Sequence, residues 1–144
     1  LIVVMALIFL INAILGLLPN INELPITLEL ILGYIFAPLA WFMGIPWSEA
    51  FAAGQLLGVK TALNEFVAYL YLSDSETYQL SEKSRLIMLY ALCGFANFSS
   101  VGILLSGMSA MVPERRKDLI SVSGKALWGA LLASCLTGFM VGIL

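Results

Sequence analysis

The run Gly58-Val59-Lys60-Thr61-Ala62-Leu63-Asn64-Glu65-Phe66-Val67-Ala68-Tyr69 sets an amide and an acid side by side in mostly apolar sequence. Before it lie the small residues Ala50, Ala52, Ala53 and Gly54; after it the apolar run continues to Leu72. A carboxylate at the centre of a bilayer helix costs roughly 2.5–3.5 kcal/mol on insertion scales. Such a group faces a cavity or a partner and marks a functional site by default. The plainer alternative ends a helix at the headgroup level, with Glu65 paired to Lys60. The segments meeting at Asn64, about 14 and 8 residues long, both fall short of the roughly 20 residues of a crossing helix. Pro46-Trp47-Ser48-Glu49 starts the first of them, with a proline and an acid where a helix dipole favours them. Two short arms joined at a polar tip describe a re-entrant helical hairpin over residues 47–72. Backbone of that kind is tolerated at membrane depth only where protein buries it or water reaches it.

Around this stretch, 61% of the 144 residues are hydrophobic and 11% are charged, with a mean hydropathy of +1.01. A soluble domain carries about 25% charged residues, so this chain has too few to cover itself. It reads as an all-α integral membrane protein with room for about four or five passes. There is no histidine, which removes the commonest metal ligand and general base, so neither a metal nor a cofactor is expected here. A net charge of −2 without a basic patch argues against nucleic acid as a partner. Cys93 and Cys135 stand apart in apolar runs and read as small buried residues, not as a disulfide or metal pair. The chain opens at Leu1 inside apolar sequence, with no basic n-region or cleavage site, so it reads as part of a longer polypeptide without a signal peptide.

Residues 1–18 form an apolar transmembrane helix interrupted only by Asn12, which either bridges to another helix or bonds its own backbone. Residues 20–27, with Glu23 and Pro25, read as a loop. Residues 28–45 read as a broken or tilted helix near one membrane surface, interrupted at Pro38, with Tyr34, Trp41 and Trp47 suited to the interface. Residues 73–85 hold Asp74, Glu76, Glu82, Lys83 and Arg85 and form an aqueous loop, with Ser81 placed to cap the next helix. Residues 86–112 are long enough to span, but Gly94, Asn97, Ser99, Ser100 and Gly102 crowd their centre and mark a discontinuous helix. Backbone unwound there is free to bind a polar ligand or an ion. The competing reading has Ser99 and Ser100 bonding back to their own helix while Asn97 bridges two helices. Residues 113–118 form a short loop whose basic residues Arg115, Arg116 and Lys117 favour the cytoplasmic side. A last spanning helix over 119–144, with Lys125 snorkelling near its start, then leaves the C-terminus outside.

The strings Gly58-x-Lys60-x-x-x-Asn64-Glu65-Phe66-Val67-Ala68-Tyr69 and Ala91-Leu92-Cys93-Gly94-Phe95-Ala96-Asn97-Phe98-Ser99-Ser100 together resemble the concentrative nucleoside transporters. Pro113-x-Arg115-Arg116-x-Asp118 ahead of a final helix adds to the likeness, which runs from Leu28 to the end. The resemblance implies a homotrimeric secondary active transporter in the cell membrane, a multi-pass symporter carrying nucleoside inward with Na⁺ or H⁺. It implies that residues 1–18 belong to a fixed scaffold and residues 19–144 to a moving transport domain. It assigns Glu65 to the ribose hydroxyls, Asn97 and Ser100 to the ribose as well, Phe95 to the site lining, and Asn64 and Ser99 to supporting positions. The family's first hairpin, which meets the base and helps form the cation site, would lie upstream of Leu1. A non-transporting gating or assembly module reusing the hairpin is the alternative, and it has no need of Glu65, Asn97 and Ser100 facing one cavity. A channel would want rings of like groups along a pore. One Glu with Ser and Asn is a poor acid–base set for catalysis.

Overall fold

The structure, a computed structural model, describes residues 2–18, 25–74 and 77–144, and every regular element among them is helical. Glu23, assigned above to a loop, and Glu76, assigned to the aqueous loop, lie outside the described residues. Helix α1 (Ile2–Leu15) buries only Ile8. Helix α2 (Leu28–Phe42) starts at Thr27, whose Oγ1 accepts from the Leu30 amide at 3.2 Å. It runs through Pro38 without the expected break. An interior proline costs about 3 kcal/mol, and close packing along α3 (Trp47–Ala62) offsets it. A Cβ built on Gly54 of α3 would lie 2.4 Å from the Gly33 carbonyl oxygen and 2.8 Å from the Ala37 amide, so the two backbones touch there. The chain leaves α2 through Gly44, whose φ of +94° suits glycine alone, and Pro46 opens α3 as expected.

Helix α3 is the centre of the molecule, packed against α2, α4 (Glu65–Ser73), α5 (Glu82–Leu92) and α6 (Phe98–Met111). Its Ala53, Leu56 and Leu57 are fully buried, beside Phe36 and Ala40 of α2 and Ile87 and Met88 of α5. Only Leu63 and Asn64 separate α3 from α4. The predicted loop at 73–85 is shorter than expected, because α5 begins at Glu82 behind Ser81, whose Oγ accepts from the Ser84 amide at 3.4 Å. Three bonds tie this start to the base of the α3–α4 pair. Ser81 donates its amide and hydroxyl to Glu49 Oε2 at 3.1 and 3.0 Å, and Arg85 Nη2 donates to the Leu72 carbonyl at 2.8 Å.

The charged stretch 113–118 is likewise helical where a loop was expected. Pro113–Arg115 is one 3₁₀ turn, and α7 (Arg116–Ile143) begins directly after it, with Arg115 and Asp118 paired at 3.1 Å across the junction. Together they make the one helix among the described residues long and apolar enough to cross a membrane, with a mean hydropathy of 1.8. Helices α1, α2 and α6 are apolar but shorter. The outer faces of α1, α6 and α7 expose Phe9, Leu10, Leu104, Trp128 and Leu136, an apolar exterior that a soluble monomer rarely carries. Both cysteines are free; Cys135 is buried as expected, but Cys93 is exposed, because α5 ends one residue before it.

Candidate functional site

Two helix breaks come together at one place. The first, at Leu63-Asn64, ends α3 and starts α4; the second, over residues 93–97, ends α5 and starts α6. Both restarts use an asparagine in extended backbone as the N-cap, the residue type that best satisfies the open amides of a first turn. Asn64 Oδ1 accepts from the Val67 amide at 2.9 Å. Asn97 Oδ1 accepts from the Ser100 amide at 2.7 Å and from the Ser100 hydroxyl at 2.8 Å. The remaining end of the Asn97 amide is decisive for the site: its Nδ2 donates to Glu65 Oε2 at 2.9 Å.

Glu65 is the first residue of α4, where the positive end of the helix dipole favours a carboxylate. The cap of α6 reaches the same carboxylate through Asn97, so two helix starts converge on one negative charge. Asn97 is 1% exposed, which makes its hydrogen bond to the carboxylate stronger than it would be in water. Glu65 and Ser100 are half-buried. The alternative of a Lys60–Glu65 ion pair is not realised. Lys60 is fully buried and donates Nζ to the Ala91 carbonyl at 2.8 Å, and the only ion pair among the described residues is Arg115–Asp118.

The six residues singled out from sequence therefore divide. Glu65, Asn97 and Ser100 share one hydrogen-bonded network, and Asn64 shapes the turn that presents Glu65. Phe95 is 78% exposed and lines, with Ser100, a groove of about 500 Å³ between α6 and α7. That volume falls within the roughly 300–1,000 Å³ of small-molecule pockets. Glu65 and Asn97 are not among the groove's lining residues. Ser99 stands apart: it is buried, and its hydroxyl meets no partner among the described residues. No group of three or more His, Cys, Asp or Glu side chains gathers among the described residues.

Sequence reasoning left Asn12 undecided and passed over Glu29. Asn12 Nδ2 donates to both oxygens of Glu29 at 3.1 and 3.0 Å, and its Oδ1 accepts from the Leu28 amide at 2.8 Å. A single polar residue in α1, followed by an acid in the first turn of α2, was the available signal.

The family model described as "Na+ dependent nucleoside transporter C-terminus" matches residues 1–142. The chain belongs to this family, the concentrative nucleoside transporters. The nucleoside permease NupC of Helicobacter pylori is 42% identical over 122 residues, which cover 82% of this chain and 29% of that protein. Solute carrier family 28 member 3 of Homo sapiens is 36% identical over 159 residues, which cover the whole of this chain and 23% of that protein. Among solved structures, an asparagine variant of CNTnw in the intermediate 2 state superposes with a TM-score of 0.88 at 41% identity, over 99% of this chain and 36% of that one. CNTnw in an inward-facing substrate-bound state matches at 0.79, also at 41% identity, over 98% of this chain and 34% of that one. The chain thus spans between 23% and 36% of the length of these relatives. The concentrative nucleoside transporters are a transporter family, and membership places the chain in a membrane, in keeping with the apolar exterior of α1, α6 and α7.

Proposed function

We propose that this chain is the part of a concentrative nucleoside transporter that grips the ribose during cation-coupled uptake by alternating access. The observation that carries this reading is the 2.9 Å bond from Asn97 to Glu65, which joins two capped helix starts around one carboxylate. A nucleoside is neutral but rich in hydroxyl and amide groups, and desolvating each without a partner costs a few kcal/mol. A carboxylate accepts from two ribose hydroxyls in charge-assisted bonds, shorter and stronger than neutral ones. Asn97 has a second amide hydrogen to offer, and Ser100 a hydroxyl that both donates and accepts. The exposed ring of Phe95 adds an apolar face beside them.

In this reading residues 47–72 are a re-entrant hairpin, and residues 86–112 are one helix unwound at 93–97. Half-helix ends meeting near the midplane of a bilayer are where transporters of this kind bind substrate. Residues 1–18 are scaffold and 19–144 belong to the moving domain of a multi-pass homotrimer in the cell membrane. The basic turn at 113–118 faces the cytoplasm. The Na⁺ or H⁺ that drives transport binds on parts of the protomer preceding these residues, as does the base of the nucleoside, and this chain alone transports nothing.

The test is radiolabelled uridine uptake into proteoliposomes holding the full-length protein, with a Na⁺ gradient in one set and a pH gradient in another. One gradient should drive uptake, and Glu65→Gln should abolish it. Folded protein that takes up neither uridine nor a purine nucleoside under either gradient would sink the reading.

A further inference from the structure

Lys60 is the largest fully buried side chain among the described residues. A buried ammonium is costly unless partnered, and an apolar side chain of similar volume would fill the same space at least as well. Packing alone does not account for it. Lys60 lies in the last turn of α3, and its acceptor, the Ala91 carbonyl, lies in the last turn of α5. The final carbonyls of a helix have no partner of their own and carry its negative dipole end. One buried cation therefore sits where two helix C-termini meet, and Glu65 sits where the two following helices begin.

The two contacts form a pair of rungs. Lys60 reaches a residue 31 positions on, and Glu65 is reached by one 32 positions on. Both chain breaks, 63–64 and 93–97, lie between these rungs. Gly94 keeps the second break close to Lys60. A Cβ there would be 3.6 Å from Lys60 Nζ and 2.5 Å from Ser134 Oγ of α7, so the segment passes close against both side chains.

We propose that Lys60 is a positioning residue for the ribose site: its bond to the Ala91 carbonyl sets the spacing of the two breaks, and so brings Glu65 and Asn97 onto one substrate. This inference rests on the ribose reading of Glu65. Lys60 touches no substrate. It acts through the register of residues 91–97 against the α3–α4 tip.

The experiment compares Lys60→Met, Lys60→Gln and Glu65→Gln in the full-length transporter, with KM and Vmax measured for uridine and for 3′-deoxyuridine. A positioning role predicts that Lys60→Met raises the KM for uridine roughly tenfold and erodes the preference for uridine over its deoxy analogue. Lys60→Gln, which keeps a donor on a shorter arm, should fall between the parent and Lys60→Met. A merely structural lysine would lower Vmax through the amount of folded transporter and leave KM and preference as in the parent; that result overturns the inference. Failure of both variants to fold also overturns it, since Lys60 would then serve the core. Should Glu65→Gln itself keep the parent's preference, the ribose reading fails. Should Glu65→Gln lose the preference while Lys60→Met keeps it, only the role of Lys60 falls.

Discussion

Asn97 does three things with one amide: it caps α6, steadies the Ser100 hydroxyl and holds the Glu65 carboxylate. An aspartate keeps the cap but sets a second carboxylate against the first. Asn97→Asp is therefore expected to weaken uridine binding roughly tenfold or more, read by calorimetry on the purified transporter. Parent-like affinity would remove Asn97 from the network. Ser99 gives the opposite expectation. Its hydroxyl is buried without a partner among the described residues, so Ser99→Ala discards nothing that is bonded. The KM for uridine should stay within about twofold of the parent, and a large rise would show that the hydroxyl finds a partner in the full transporter. The local pattern treats Ser99 and Ser100 alike and only the family resemblance separates them, because adjacent serines in a first turn differ only in which one the Asn97 cap engages.

At the scale of elements, the helix starts were legible and some of the boundaries were not. Pro46 and Ser81 announce their helices in the sequence, whereas Asn64 and Asn97, read there as a polar tip and a discontinuity, turn out to be N-caps of α4 and α6. Pro38 misled, because the penalty of an interior proline yields to the close approach of α2 and α3 at Gly54 and Gly58, whose spacing permits close packing but does not name the facing helix. Polarity alone predicts loops at 82–85 and 116–118, yet the acids and bases there lie in the first turns of α5 and α7. The α2–α3 contact is testable. At Gly54 a Cβ meets backbone on the facing helix, which cannot swing aside. Gly54→Ala should cost about 1–3 kcal/mol and lower the melting temperature of the detergent-solubilised protein by roughly 2–10 °C. An unchanged melting temperature would mean that the two helices separate at no cost.

Across the whole molecule, the strings that carry the family resemblance are the strings that build the polar tip, so the residue types of the candidate site were legible in the sequence. Their arrangement was not. The bonds from Lys60 to Ala91 and from Asn97 to Glu65 join positions about thirty residues apart, and they depend on where each helix stops. The same holds for Asn12, whose partner Glu29 belongs to the next helix. The central claim is that Glu65 receives ribose hydroxyls beside Asn97. Its most direct test is the affinity of purified full-length protein for uridine and for 2′,3′-dideoxyuridine, measured calorimetrically in the parent and in Glu65→Gln. The account predicts that the variant loses roughly tenfold or more for uridine and no longer prefers it over the dideoxy analogue. A Glu65→Gln protein that binds uridine as tightly as the parent, with the same preference, would contradict it.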